Sequence, residues 1–244
     1  MVGNSQEFER ELDTFRKEGD SAVQFFYSWL SIHAAAGQTP NALAALNKTP
    51  LFWNTTLGAL QTATFVTLGR IFDPSTNNHS VTKLLSLAMN DLSIFSKEAL
   101  AERKRKESTN ADEWLPEYLR DVFVPNVRDI RRLKQHVAKR RKIYERVYQP
   151  IRHQHYAHRS ASSTADIDSL FGKTNIRELQ QLLTFFRRLH EALWQLYING
   201  KKPTLRPTRY SVNRMLEKPS PNANQAQLQE RLVHETKLLI NSLP

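Results

Sequence analysis

The sequence predicts an all-α protein, an up-and-down helical bundle with peripheral helices and a proline-rich arm near the C-terminus. Three observations carry this. Apolar residues recur at steps of three and four through most of the chain, which is the helical period. Only 7 glycines occur in 244 residues, where average usage gives roughly 17, so few turns interrupt the elements. No segment alternates apolar and polar residues as a strand does, and no internal repeat or low-complexity tract is visible.

Taken in order, residues 5–36 place Phe8, Leu12, Phe15, Val23, Phe26, Tyr27 and Leu30 on one stripe, and Gly37 and Pro40 end the element. Residues 50–72 carry Phe52, Thr56, Leu60, Ala63, Thr67 and Ile71 with further apolar residues between, so this helix is buried on more than one face. The run "DPSTNNHS" at 73–80 is a turn. A short helix spans about 79–88, then another covers "DLSIFSKEALAERKRKES", whose cationic last turns suit the helix dipole. "TNADEW" opens a loop or short helix leading to Pro125. From there to about Arg159, Val127, Ile130, Leu133, Val137, Arg141, Tyr144 and Val147 mark a long helix. Pro150 lies inside it and forces a kink or restart. The clearest amphipathic helix begins at Thr174 or Asn175 and closes at Asn199 and Gly200. Residues 201–224 hold four prolines and read as an extended arm, before a final helix. The expected organisation is a bundle over 1–200, with 201–244 as an arm and C-terminal helix packing on or near it.

Composition narrows the function classes. The chain has no cysteine, which removes disulfides, thiolate metal sites and thiol nucleophiles, and suits the cytosol. The first twenty residues are polar and acidic, unlike a signal peptide, and no run of about 20 uninterrupted apolar residues occurs. A soluble, cytoplasmic protein without membrane contact is expected. The net charge is +11, and between Arg128 and Arg159 eleven Lys or Arg stand against Asp129 and Glu145 alone. Such a strip is the footprint of a polyanion partner or, equally, a solvated basic helix face.

The strip runs into "RHQHYAHR", three histidines and two arginines in eight positions from Arg152 to Arg159. His155 and His158 could share a helix face with His153 near, yet a zinc site wants four ligands, and neither Cys nor an HExxH arrangement is present. A serine triad lacks its nucleophile-elbow signature. Metal-independent RNA cleavage fits the residue types better. Imidazoles can move protons near neutrality, and Arg152 offers a planar fork to phosphate. The plain alternative is a helix end whose cations complement the dipole and do nothing else.

"RHQHYAHR" resembles the signature of HEPN proteins, the higher eukaryotes and prokaryotes nucleotide-binding superfamily, in its abortive-infection form. Arg152 and His158 enclose five residues, His153 stands in the polar place, and "YAHR" is similar to the "xAHR" ending of those families. "TLGRIFDPSTNNHSVTKLL" at 67–85, with Arg70 and Asp73, looks like their second landmark. The resemblance implies a bundle that dimerises so that two motif-bearing helix ends face one cleft, with Arg152 and His158 as the catalytic pair and His153 as helper. It also implies an endoribonuclease of defence or toxin–antitoxin type, free of metal and cofactor, with RNA as substrate and a cognate antitoxin as a possible partner. Some relatives keep the fold only to bind RNA or protein.

On an ideal helix Arg152 and His158 stand about 120° apart, so they converge only through local unwinding or across two subunits. Arg140, Arg141, Arg146 and Arg159 are the expected phosphate contacts. Asp73 reads as a turn residue with Arg70 its local partner, and Phe185, Phe186, Trp194 and Tyr197 as core or dimer-interface residues. His33, His136, His190 and His234 are scattered and carry no readable chemistry.

Overall fold

The structure is a computed structural model that describes residues 2–38, 40–153, 169, 171–206, 211–218 and 226–243. It is all-α, and among the described residues no strand occurs. The helices are α1 (Val2–Gln38), α2 (Pro40–Lys48), α3 (Pro50–Ile71), α4 (Val81–Asn90), α5 (Lys97–Glu107), α6 (Ala111–Tyr118), α7 (Val127–Ile143), α8 (Ile176–Asn199), α9 (Val212–Glu217) and α10 (Leu228–Ser242). A 3₁₀ turn, Leu92–Phe95, lies between α4 and α5. Among the described residues, no helix is long and apolar enough to cross a membrane.

Prolines and short polar caps set the starts. Pro40 and Pro50 open α2 and α3, where a missing N–H is harmless. Ser80, Ser96 and Asn126 cap α4, α5 and α7 through side-chain oxygens, and Asn126 forms a reciprocal box with Asp129. Gly200 closes α8 at φ +58°, a conformation other residues adopt poorly. A Cβ there would meet Val122 at 2.6 Å. Two helices are absent from the sequence-based expectation: α2, between the turn signals at Gly37 and Pro50, and α9, inside the arm, capped by Ser211.

The chain divides into two compact units. Residues 1–17, 70–146 and 184–208 form the first. Its core is aromatic: Phe8 meets Phe95 edge-on and Tyr197 obliquely, each at 5.2 Å. Phe72 stacks on Tyr144 at 5.2 Å and touches Phe186 at 5.1 Å. Phe186 and Tyr197 are thus core residues. Helix α4 packs along α7. Residues 18–69, 147–183 and 209–244 form the second unit, where Ile32, Ala35, Ala42, Leu46, Trp53 and Ile240 make one apolar cluster. Within that unit α9 packs on α10, and Lys237 donates to the Leu216 carbonyl.

Candidate functional site

Helix α7 has two faces of opposite character. Ile130, Leu133 and Val137 are buried. At 100° per residue, Arg128, Arg131, Arg132, Lys139 and Lys142 fall within about 60° of the opposite direction, and all five are exposed. Among the described residues, none of these five side chains forms a salt bridge or a hydrogen bond to another side chain. The basic run of α5 behaves differently. There Lys104 pairs with Glu107 at 3.0 Å, Arg105 with Asp112 at 2.8 Å and Lys106 with Glu102 at 2.9 Å. One cationic stretch is internally neutralised, and the other holds its charge open to a polyanion.

The phosphate contacts expected from the sequence divide on this helix. Arg146 is exposed. Arg140 is half-buried, with its guanidinium 5.7 Å from the Phe185 ring centre. Arg141 turns inward and donates to the Thr82 hydroxyl, which itself donates to the Asp73 carbonyl at 2.9 Å. Arg141 therefore braces α7 against the start of α4. Asp73 organises that turn, accepting from the Ser75 N–H at 2.8 Å and the Asn78 amide at 3.0 Å. Arg128, Arg131, Arg132, Lys139 and Lys142 make up the open face, and a helical wheel of the segment separates them from Arg141.

Beyond α7 the helix widens. Tyr144–Tyr148 is a π-helical turn, Gln149–Ile151 a single α turn, and Arg152 and His153 are again on π-type backbone. Pro150 explains the irregularity, since its ring clashes with the carbonyl four residues earlier, at Arg146, and supplies no N–H to it. The sequence pointed to the proline, and the distortion lies on both sides of it, at 144–148 and again at Arg152 and His153. Such bulges recur at functional positions.

Buried groups anchor the chain on the far side of the bulge. Ile151 is fully buried, and so is Tyr148, whose ring stacks on Phe65 of α3 at 5.7 Å. The Tyr148 hydroxyl donates to the Asn175 carbonyl at 3.2 Å, and Asn175 caps α8 by accepting from the Arg177 N–H at 2.8 Å. One turn after Tyr148, the half-buried Arg152 side chain lies against Gly69, one turn after Phe65. A Cβ at Gly69 would stand 2.6 Å from Arg152 Nε and 2.9 Å from its Cζ. The glycine is what lets the guanidinium rest on α3. Arg152 Nη1 is 3.4 Å from Nε2 of the exposed His153. Arg152 and its expected helper are thus adjacent. His158, Arg159, His155 and Tyr156 lie outside the described residues. Among the described residues, no group of three or more His, Cys, Asp or Glu could hold a metal ion.

A second polar cluster lies in the first unit. The Glu11 carboxylate is buried, with His79 Nδ1 at 2.9 Å and Lys83 Nζ at 2.8 Å. The hydrogen bond from Lys83 to Glu11 holds that ammonium above its ordinary value of 10.5, against a smaller desolvation effect. This ties α1 to α4 and the turn before it.

Compared with known proteins, residues 5–218 match the family model HEPN_AbiU2, described as AbiU2. No curated protein and no solved structure matches the chain.

Proposed function

Because the chain belongs to the AbiU2 family of HEPN proteins, we propose that it is a metal-independent endoribonuclease of prokaryotic defence or toxin–antitoxin type. The observation that carries this reading is the placement of Arg152, half-buried against Gly69 and beside His153. A guanidinium held this way presents a fixed positive fork to a phosphate, with little reorganisation as charge develops. The open cationic face of α7 supports the same substrate class, because phosphate backbones bind such stripes whatever their sequence.

In this mechanism His158 removes the proton of a ribose 2′-OH, and the oxygen attacks the adjacent phosphorus. The bond to the 5′ oxygen breaks as that oxygen takes up a proton, and the products are a 2′,3′-cyclic phosphate and a 5′-OH. Arg152 stabilises the charge on the phosphoryl oxygens, and His153 orients it or supplies the proton. Two copies of the chain bring their motif-bearing helix ends to one cleft, which removes the need for Arg152 and His158 of one chain to meet. The enzyme works in the cytoplasm, with a cognate antitoxin protein as the partner that holds it in check.

Incubating the purified full chain with single-stranded RNA and a chelator tests this. Cleavage leaving cyclic phosphate ends, abolished by Arg152→Ala and by His158→Ala, is the expected outcome. Activity that is absent, or that survives both substitutions, ends the enzymatic reading. RNA bound but left uncut favours the second reading, a non-catalytic RNA-binding module of the same fold, which the α7 face alone would serve.

A further inference from the structure

Helix α3 carries no charged residue from Pro50 to Gly69, and its apolar residues are spread around the whole circumference instead of forming one stripe. A helix of that kind is normally covered on every side. Its C-terminal half is covered, by Tyr148 on Phe65 and by Arg152 on Gly69. Its N-terminal half packs on one side only, through Trp53 in the apolar cluster of the second unit. On the other side Leu51 is 82 % and Phe52 62 % exposed, and Thr55, Gly58 and Ala59 are exposed with them. We propose that this open face pairs with the same face of a second copy of the chain, as two antiparallel α3 helices related by a two-fold axis between Gly58 and Ala59.

Charge, symmetry and one glycine favour a second copy over a different partner. The chain carries a net charge of +11, so two copies repel unless they meet where charge is absent. This face meets that condition. A two-fold contact must also be self-complementary. Reading outward from the midpoint between Gly58 and Ala59, the sequence repeats its chemistry: Leu57 matches Leu60, Thr55 matches Thr62, Phe52 matches Phe65 and Leu51 matches Val66. At 100° per residue, Leu51, Thr55, Gly58, Ala59, Thr62 and Val66 fall within about 60° of the direction opposite Trp53 and Thr64. In the antiparallel pair Leu51 therefore meets Val66 of the second copy, the threonines meet each other, and the smallest residues lie at the axis. Thr55 and Thr62 donate their hydroxyls back to the Leu51 and Gly58 carbonyls at 2.9 and 2.8 Å, which leaves methyl groups to be buried. Gly58 completes the case. Glycine inside a helix is less stable than alanine, and among the described residues a Cβ at Gly58 would meet nothing within 4 Å. Packing within the chain gives no reason for it, whereas close approach of a second backbone does.

Gly69 lies about 16 Å along α3 from this axis, so the pair holds the two Gly69–Arg152 contacts about 30 Å apart. The α3 contact is therefore additional to the shared cleft of the proposed function, and it depends on neither RNA nor cleavage. A chain that uses two different two-fold contacts assembles beyond the dimer.

The chain has no cysteine, so a single introduced cysteine can form a disulfide only with another copy. Full-length variants are oxidised with diamide and separated on non-reducing gels. Ala59→Cys, beside the axis, should link to itself. Thr55→Cys and Thr62→Cys should stay unlinked alone and link to each other when mixed, because the antiparallel register brings those two positions within the roughly 7 Å that a disulfide spans. Adding Leu51→Glu, which would bury an unpaired charge, or Gly58→Leu, which fills the approach, should remove the Ala59→Cys link and lower the sedimenting mass. Helical circular dichroism should be retained in both. Leu238→Cys on α10, 57 % exposed in the unsubstituted chain, is the control for random collision. Linkage at Ala59→Cys no greater than at Leu238→Cys overturns the pairing, as does linkage that survives both added substitutions. Self-linkage of Thr55→Cys that the mixture with Thr62→Cys does not exceed overturns the antiparallel register. RNA cleavage by the same proteins is read separately: its absence with linkage intact ends the enzymatic reading and leaves the α3 pair standing.

Discussion

Gly69 and Arg152 are 83 positions apart, and their contact is the sharpest single constraint at the residue scale. The atoms that a new Cβ would strike are the outer atoms of the Arg152 side chain and no backbone, so Gly69→Ala displaces Arg152 and leaves the helix intact. Inside a helix, replacing glycine by alanine stabilises by about 0.5–1 kcal/mol. A catalytic group moved by about 1 Å can lower the rate about 10²-fold. Gly69→Ala should therefore raise the melting temperature slightly while RNA cleavage falls by one to two orders of magnitude. Thermal melts and cleavage assays on one preparation check both, and a variant of undiminished activity would separate Gly69 from the site. The Glu11–Lys83 contact makes a prediction of a different kind. A lysine whose folded pKa is raised contributes stability that is fully present below its unfolded value of about 10.4 and is lost as pH rises through the higher folded value. Lys83→Met should thus cost about 2 kcal/mol near neutrality, where Glu11 would keep only His79. The gap to the unsubstituted protein should narrow as the pH rises past the ordinary lysine range. Urea titrations at the two pH values measure it, and an equal gap at both would place the effect in packing alone.

Helix α7 divides its cations by face, and the two groups should fail differently. Removing one phosphate-binding cation from a single-strand interface lowers the slope of log K against log salt by about 0.7. Lys139→Ala, on the open face, should reduce RNA affinity and that slope without changing stability. Arg141→Ala, which removes the brace to Thr82, should leave the slope alone and lower the melting temperature. A reversed pattern would place the RNA elsewhere. The same helix separates what the sequence could disclose from what it could not. The periodicity of Ile130, Leu133 and Val137 defined the helix and its buried side, and the charge count located the basic strip. Which cations point outward is set by the same 100° step, yet it emerges only when the step is applied to charged residues as well as apolar ones. The π turn is different in kind. Pro150 announces an irregularity, while its position depends on where the chain can widen without burying an unpaired carbonyl. The helices α2 and α9 were too short for periodicity to reveal, and only Pro40 and Ser211 marked their starts.

At the scale of the whole molecule, the resemblance carried by "RHQHYAHR" and the family match over residues 5–218 agree on an abortive-infection HEPN protein. The contact of Arg152 with α3 was beyond the sequence because nothing local encodes a partner in another helix. The proposed pairing between subunits is equally non-local, and it makes the final prediction. If each cleft joins Arg152 of one copy to His158 of the other, two inactive variants should repair one another. In a mixed dimer of Arg152→Ala and His158→Ala subunits, one cleft receives both substitutions and the other receives neither. Random exchange makes about half the dimers mixed, so about a quarter of the original activity should return. Each variant alone should stay inactive, and recovery should track the rate of subunit exchange. If each cleft is built within one chain, every cleft in the mixture carries a substitution and no activity returns. Denaturing the two variants together and refolding them, with separately refolded samples mixed afterwards as the reference, distinguishes the two architectures. Sedimentation of the same mixture checks that dimers formed. Mixed dimers present without recovered cleavage would overturn the shared cleft while leaving Arg152 and His158 as the catalytic pair.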